Sequence, residues 1–261
     1  FFGGVRRALI GRIIDVHRFE CAPNCVLVYE GSTIRVRTIR RVDAGEELCH
    51  SYIDLCSPTA LRRNALVETY GFDCDCDHCS SPTVVRHRAE AGAEKDLDCC
   101  LVGPASGTEE MSSSEREGIL TRAAALEAEC ATMDDVKCER QKLTEAKELL
   151  AQVLDPLHSE LYRLHGLCLN AAIVEADYEA ALVECSEVVH FLETTLEHVP
   201  NHPLLALQLY TLSDLEATIP SRRASAKEHL MKAKKMLLVT HGPDAKMTRG
   251  AQAGIEALSG L

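Results

Sequence analysis

The sequence predicts an α+β protein with a β-rich first part and an all-helical remainder. Residues 26–38 alternate apolar and polar side chains around Glu30-Gly31-Ser32, which is typical of a β-hairpin. From about Glu115 onward, apolar residues recur at spacings of three and four, the period of a helix that packs on one face. At 261 residues and 46% hydrophobic, the chain can bury the core of one large or two small domains.

The β-rich part continues beyond the hairpin with further turn and helix signals. The turn Asp43-Ala44-Gly45 predicts a short strand over Leu48–Ile53. A helix follows, with Ser57 as its N-cap, Pro58 at its first position and Gly71 just past its end.

The later part of the chain predicts stacked helical hairpins. Residues 80–114 are rich in Ser, Pro and Gly and predict a linker or crossover. Beyond it, Pro156-Leu157 and Pro203-Leu204 begin two comparable helix pairs, a stack that is TPR-like in shape only. Such stacks commonly present a concave face, so we expect a protein partner on the helical domain. The alternative is helices that simply pack against the first domain.

Charge and cysteine content limit the function classes. The net charge of −12 falls mostly after residue 82, where 18 basic residues face 29 acidic ones. A duplex nucleic-acid binder would show a basic stripe, so we expect no direct nucleic-acid binding. The acidity is typical of solvated helices and would also attract a Lys-rich protein substrate.

Targeting signals are also informative. No apolar run approaches the roughly 18 residues that would span a membrane, and the opening lacks the order of a signal peptide. The 13 cysteines include the adjacent pair Cys99-Cys100, which favours reduced thiols and a metal over a disulfide framework. We therefore expect a protein of the cytoplasm or nucleus.

A C-x-C-x-x-C triplet, Cys74, Cys76 and Cys79, directly follows two aromatic residues, Tyr70 and Phe72. It offers three thiolates to one metal ion within six residues. Structural zinc takes four Cys or His ligands, so the fourth must come from elsewhere.

Four residues are candidates for that ligand: Cys21, Cys25, His50 and His78. The ring of His78 would compete with the triplet for space. His50 lies in a predicted strand, and its side chain could point to either face of the sheet. Cys21 or Cys25 is favoured because their Pro-containing turn can project a thiolate out of the sheet. The cysteine pattern alone does not choose between them.

Several motifs, in one order, resemble the C-terminal half of a SET domain and its post-SET segment. They are Cys21-Ala22-Pro23-Asn24, Ala44-Gly45-Glu46-Glu47-Leu48, Ser51-Tyr52-Ile53-Asp54, Arg62-Arg63, Tyr70-Gly71-Phe72 and the Cys triplet. The helical remainder, including His202-Pro203-Leu204-Leu205 and Thr240-His241-Gly242, resembles the C-terminal domain of the SET-and-MYND-domain protein lysine methyltransferases. The resemblance covers nearly the whole chain from about Cys21.

The resemblance implies a structural zinc site and a methyl-transfer site. The Cys of the C-x-P-N motif, here Cys21, would join Cys74, Cys76 and Cys79 on one zinc ion. The expected activity is methyl transfer from S-adenosylmethionine to a lysine of a histone or another protein. Tyr52 would be the catalytic residue, Tyr70 would line the lysine channel, and Phe72 would stack on the adenine.

The sequence departs from that family before the zinc cysteine. The family's Asn-His-Ser-Cys, whose Asn and His contact the cofactor, aligns with Arg18-Phe19-Glu20-Cys21. The family's Gly-rich cofactor loop, first SET strands and MYND zinc finger would all precede Phe1. The alternative function is therefore a non-catalytic, zinc-stabilised scaffold that binds a protein partner.

These observations divide the chain into five segments. They are an unassigned or divergent remnant over 1–18, the C-terminal part of a SET domain over 19–71, the post-SET zinc segment over 72–82, the linker over 83–114, and the helical TPR-like domain over 115–261.

Overall fold

The computed structural model of the chain describes residues 18–81, 83–87, 93–105, 108, 111–130, 133 and 135–260. The segment predicted over 1–18 lies outside the described residues except for Arg18. Across the described residues the protein combines short β-sheets with a largely helical remainder, so the α+β prediction is confirmed.

The predicted hairpin is present. Strands β2 (Cys25–Glu30) and β3 (Thr33–Thr38) pair antiparallel, with Cys25 opposite Thr38. The turn between them contains Gly31 at φ +60°, a conformation that glycine adopts at little steric cost.

A second, smaller sheet joins distant parts of the chain. Strand β1 (Arg18–Phe19) pairs in parallel with β4 (Cys49–His50). The strand predicted over Leu48–Ile53 is therefore shorter than expected. It ends at His50 because the Ser51 hydroxyl bonds the backbone of Ile53, donating to its carbonyl at 2.9 Å and accepting from its N–H at 3.3 Å, which turns the chain.

Helix α1 (Thr59–Tyr70) has the predicted end and a different beginning. Gly71, at φ +76°, closes the helix by donating its N–H to the Val67 carbonyl at 3.0 Å. At the other end, Pro58 takes the N-cap position with no side-chain cap of its own, so the prediction of Ser57 as cap was wrong by one residue. The carboxylate of Asp98 accepts instead from the Thr59 N–H at 2.9 Å.

The stretch predicted to be a linker contains regular structure. A short helix α2 (Asp77–Ser80) leads to the antiparallel strands β5 (Val84–His87) and β6 (Ala93–Asp96), and then to helix α3 (Leu97–Val102). Three residues of α3 are buried in the main core: Leu97, Cys100 and Leu101. The described part of this stretch is thus anchored to the fold, since burying these side chains removes apolar surface from water.

The remaining helices form the predicted stack, in which consecutive helices pack against one another. They are α4 (Ser113–Cys130), α5 (Val136–Leu150), α6 (Ser159–Val174), α7 (Tyr178–Thr195), α8 (Pro203–Ala217), α9 (Arg223–Thr240) and α10 (Lys246–Ser259). The two predicted pairs are α6 with α7 and α8 with α9. Their period-3.6 stripes, such as Leu205, Leu209, Leu212 and Leu215 on α8, are buried, as amphipathic helices require.

One hydrophobic core joins the β-rich part to the helices. It includes Phe19, Ile39 and Leu66 from the first part together with Leu192 and Leu209 from α7 and α8. A second cluster fills the space among α4, α5 and α6. Of the helices described, none has the length and apolar character needed to cross a membrane.

Candidate metal centre and aromatic cluster

Four thiols from two distant parts of the sequence lie at one point. Cys21 lies in the turn between β1 and β2, whereas Cys74, Cys76 and Cys79 follow α1. All four Sγ atoms lie within 4.8 Å of one another, and those of Cys21 and Cys79 are 3.4 Å apart. Cys21 and Cys74 are buried, and the other two are half-buried.

This donor set fits a tetrahedral metal ion. With Zn–S bonds of about 2.3 Å, the sulfur atoms of such a site lie about 3.8 Å apart. Thiolate is a soft ligand that suits zinc better than magnesium or calcium. Four protein ligands fill a tetrahedron, which is the arrangement of a structural site.

The other candidate ligands lie outside this group among the residues that the structure describes. Cys25 is buried near Arg40 and Glu46. His50 packs on Tyr52, with ring centroids 4.7 Å apart. His78 stacks on His198 of the helical domain. The Pro-containing turn thus supplies Cys21, the thiol that the family resemblance implied.

The thiols affect one another electrostatically. Burial, and then the hydrogen bond with Cys79, raises the pKa of Cys21 far above its usual range. Burial also raises the pKa of Cys74 to about 12. Burial alone would raise the pKa of Cys76 too, but hydrogen bonds from the Cys21 backbone and neighbouring thiols lower it overall. Several thiolates so close together require a cation, which a metal ion would supply.

Local backbone structure orients the triplet. The N–H groups of Cys79 and Ser80 both donate to the Cys76 carbonyl at 2.9 Å, which wraps the chain into α2 and brings Cys76 and Cys79 to one side. At the start of the triplet, Arg63 on α1 holds Asp73 in a two-pronged ion pair, with Nε donating to Oδ1 at 2.6 Å. The triplet is therefore attached to the end of α1.

Asn24, three residues after Cys21, ties that turn to the strand before Tyr52. It is 1% exposed. Its Nδ2 donates to the Glu47 carbonyl at 2.7 Å, and its Oδ1 accepts from the Cys49 N–H at 2.8 Å. A buried amide satisfied in this way holds its neighbours at fixed positions, because breaking either bond would leave a polar group unpaired.

The three aromatic residues predicted to form the methyl-transfer site lie together beside the thiols. The ring centroids of Tyr52 and Tyr70 are 5.0 Å apart, and those of Tyr70 and Phe72 are 6.5 Å apart. Tyr52 is half-buried, whereas Tyr70 and Phe72 are 43% and 36% exposed. Burial, with smaller contributions from Tyr70 and Cys49, raises the pKa of the Tyr52 phenol, which keeps it protonated at neutral pH.

Phe19 completes this aromatic cluster, a contact that the sequence did not predict. Its ring centroid lies 5.3 Å from that of Tyr52 and 5.7 Å from that of Phe72, and the side chain is 8% exposed. The sequence marked position 19 as part of the site only through its alignment with the His of the family pattern. At that position the chain carries an apolar ring without any hydrogen-bonding group.

The helical domain contacts the thiol group through the turn between α7 and α8. His198 Nε2 lies 3.1 Å from the Cys21 carbonyl, to which it donates because a carbonyl only accepts. Three residues further on, the Asn201 side chain donates to the Ile39 carbonyl at 2.8 Å. Nothing in the local sequence pattern indicated this contact, because it joins residues about 177 positions apart.

Comparisons with known proteins give one family match and several similar proteins. The family model of the SET domain matches residues 6–53. N-lysine methyltransferase SMYD2-B of Xenopus laevis is 44% identical over 62 residues, which is 24% of this chain and 14% of that protein. N-lysine methyltransferase SMYD2 of Homo sapiens is 23% identical over 229 residues, 86% of this chain and 49% of that protein. The chain therefore spans half or less of the length of these curated relatives.

The chain thus contains a segment that matches the SET domain, and it is similar to N-lysine methyltransferases. The similarity to the human relative extends beyond the SET segment into the helices, since it covers 86% of the chain.

Proposed function

We propose that this chain takes part in S-adenosylmethionine-dependent methylation of a lysine on a histone or another protein. The supporting observation is that Tyr52 comes from a different segment than Tyr70 and Phe72, and the three still form one ring cluster beside the four-thiol group. In this proposal the thiols bind one structural zinc ion, which keeps the segment around Phe72 against the sheet.

Each ring has a distinct role in the proposed site. Methyl transfer needs the neutral amine, the methyl carbon and the departing sulfur in one line, so positioning supplies much of the rate. The protonated Tyr52 hydroxyl can donate a hydrogen bond within the site and is the proposed catalytic residue. The exposed face of Tyr70 attracts a lysine ammonium before it loses its proton. S-adenosylmethionine supplies the methyl group when it is bound.

The described residues fit the adenine end of the cofactor. Phe72 leaves ring surface open to a second aromatic system while its other contacts hold it in place. Position 19 does not fit in the same way, because Phe19 cannot make the hydrogen bonds of the family's His. We therefore attribute cofactor binding mainly to Phe72.

Phe19 favours a second candidate function, a non-catalytic scaffold. Its buried ring fills the space between Tyr52 and Phe72 and stabilises the cluster as packing. In that case the zinc segment stabilises the fold, and the helical stack binds a protein partner. The experiments below separate the two functions.

Calorimetric titration of the zinc-loaded chain with S-adenosylmethionine tests the cofactor site. Stacking of a base on an aromatic ring contributes about 1–3 kcal/mol, so Phe72→Ala should weaken binding roughly tenfold. Tyr178→Ala, which removes an exposed ring far along the helical domain, is the control and should bind normally. An absence of heat with the unaltered chain would favour the scaffold.

Methylation of histone and of lysine-containing peptides tests the reaction. Tyr52→Phe removes one hydroxyl and keeps the ring contacts, so activity should fall while cofactor affinity stays the same. The double change Arg18→Asn with Phe19→His restores the Asn and His of the family pattern and should tighten cofactor binding. Unchanged methylation by Tyr52→Phe would exclude its catalytic role.

A further inference from the structure

A buried arginine lies against the thiol group. Arg62, on the first turns of α1, is 2% exposed. A positive charge near a helix N-terminus opposes the helix dipole, so this position is unfavourable without an external partner. Moving a guanidinium out of water is also costly unless a negative charge compensates it.

The oxygen partners of Arg62 are neutral. Its Nη1 donates to the Ser57 carbonyl at 2.6 Å and its Nη2 to the Thr59 hydroxyl at 2.7 Å. These bonds orient the guanidinium without neutralising it. Within the described residues no carboxylate forms an ion pair with Arg62. The adjacent Arg63, in contrast, is paired with Asp73.

Arg62 also contacts sulfur. Its Nη2 lies 3.7 Å from the Sγ of Cys79, within the range of an N–H···S hydrogen bond. A divalent ion held by four thiolates leaves the site with two negative charges in excess, in a largely buried setting. Among the described residues, the Arg62 guanidinium is the positive group with a hydrogen bond to one of these thiols.

We propose that Arg62 is the positive counter-charge of the metal-loaded thiol site and links metal binding to the position of α1. The same guanidinium contacts both Cys79 and the residues at the start of α1, Ser57 and Thr59. The far end of that helix carries Tyr70 into the aromatic cluster. This inference rests on metal binding by the four thiols and is independent of methyl transfer.

Metal affinity tests the proposal directly. Zinc release to a chromogenic chelator, and the thiolate-to-metal absorption of the cobalt-substituted chain, report on the site without any activity. Partners that orient metal ligands typically contribute 10–100-fold to affinity, so Arg62→Gln should release zinc at least tenfold more readily. Arg62→Lys keeps the charge but loses the planar guanidinium, so its zinc release should lie between those of the unaltered chain and Arg62→Gln. The control Arg122→Gln makes the same change at an arginine on α4 whose side chain is 66% exposed, and it should behave as the unaltered chain.

Thermal unfolding with and without zinc separates a counter-charge from a structural role. In the metal-free chain Arg62→Gln removes the bonds to Ser57 and Thr59 but no contact with a charged metal group, so it should lower the melting temperature only slightly. In the zinc-loaded chain the same change should lower the melting temperature clearly more. Equal losses in both forms, or unchanged zinc affinity in a folded Arg62→Gln variant, would overturn the proposal. Failure of the unaltered chain to bind metal would instead refute the zinc site itself.

Discussion

The imidazole of His198 stacks on that of His78, with ring centroids 3.9 Å apart and planes 17° from parallel. His78 lies within the cysteine triplet, and His198 lies in the turn that follows α7. Burial lowers the pKa of His78 to about 4 and also lowers that of His198, so both rings are neutral at pH 7. Through this stack and its bond to the Cys21 carbonyl, His198 connects the helical domain to both chain segments that supply the thiols.

We predict that His198→Ala lowers the free energy of unfolding by about 2 kcal/mol. The change removes one hydrogen bond, worth about 1 kcal/mol, and one ring contact of similar size. Urea denaturation would measure it. Glu197→Ala, an exposed neighbour, is the control and should change stability little. A His198→Ala chain as stable as the control would show that the stack is incidental.

Replacement of Cys21 by Ser should abolish stable zinc binding. The three remaining thiols leave a tetrahedral site incomplete, and metal binding contributes folding free energy. Elemental analysis of the purified chain should give one zinc per chain, and much less for Cys21→Ser. The same analysis of Cys25→Ser should give full occupancy, because Cys25 lies outside the thiol group. Full zinc content in Cys21→Ser would refute the assignment.

Replacement by alanine should have opposite effects on stability at two glycines. Gly71 has φ +76° and closes α1, so Gly71→Ala should cost about 1 kcal/mol in backbone strain. Gly118 lies exposed inside α4, and no atom within 4 Å would meet an added Cβ. Gly118→Ala should therefore stabilise the chain by about 0.5–1 kcal/mol. Thermal melts compare the two, and a shift of the same sign in both would contradict the reasoning.

The contacts of the buried Glu184 carboxylate should make the stability of the chain depend on pH. Burial would raise its pKa, but the hydrogen bonds from His165 and Lys147 outweigh burial and lower it. A folded-state pKa below the unfolded value contributes stability above about pH 4.3, and this contribution is lost as the pH falls through the folded-state pKa.

Glu184→Gln should therefore destabilise the chain by about 2 kcal/mol at pH 7 and by much less near pH 3. Urea denaturation at the two pH values measures the difference. Glu228→Gln, at an exposed position on α9, is the control, and its effect on the free energy of unfolding should be the same at both pH values. If Glu184→Gln lowers the free energy of unfolding by the same amount at both pH values, protonation of Glu184 is not the cause of the pH dependence.

Features encoded over a few neighbouring residues were predictable. The hairpin of β2 and β3, the end of α1 at Gly71 and the two helix pairs each follow from alternation, a glycine or helical periodicity. The beginning of α1 was not predictable, because the group that satisfies the Thr59 N–H is Asp98, in a stretch that reads as a linker. Capping from a distant segment leaves no signal beside the helix.

By itself, the sequence determined the α+β class, the stacked helical hairpins and the three-thiol triplet, since periodicity and spacing express backbone conformation directly. The cysteine pattern left the fourth thiol open and the family resemblance implied Cys21, which the tertiary structure brings to the triplet. Only the tertiary structure decided that Phe19 packs between Tyr52 and Phe72, and that His198 lies on the thiol segment. These contacts join residues far apart in the chain. They depend on how the hydrophobic core packs the helices against the sheet, which no local pattern records.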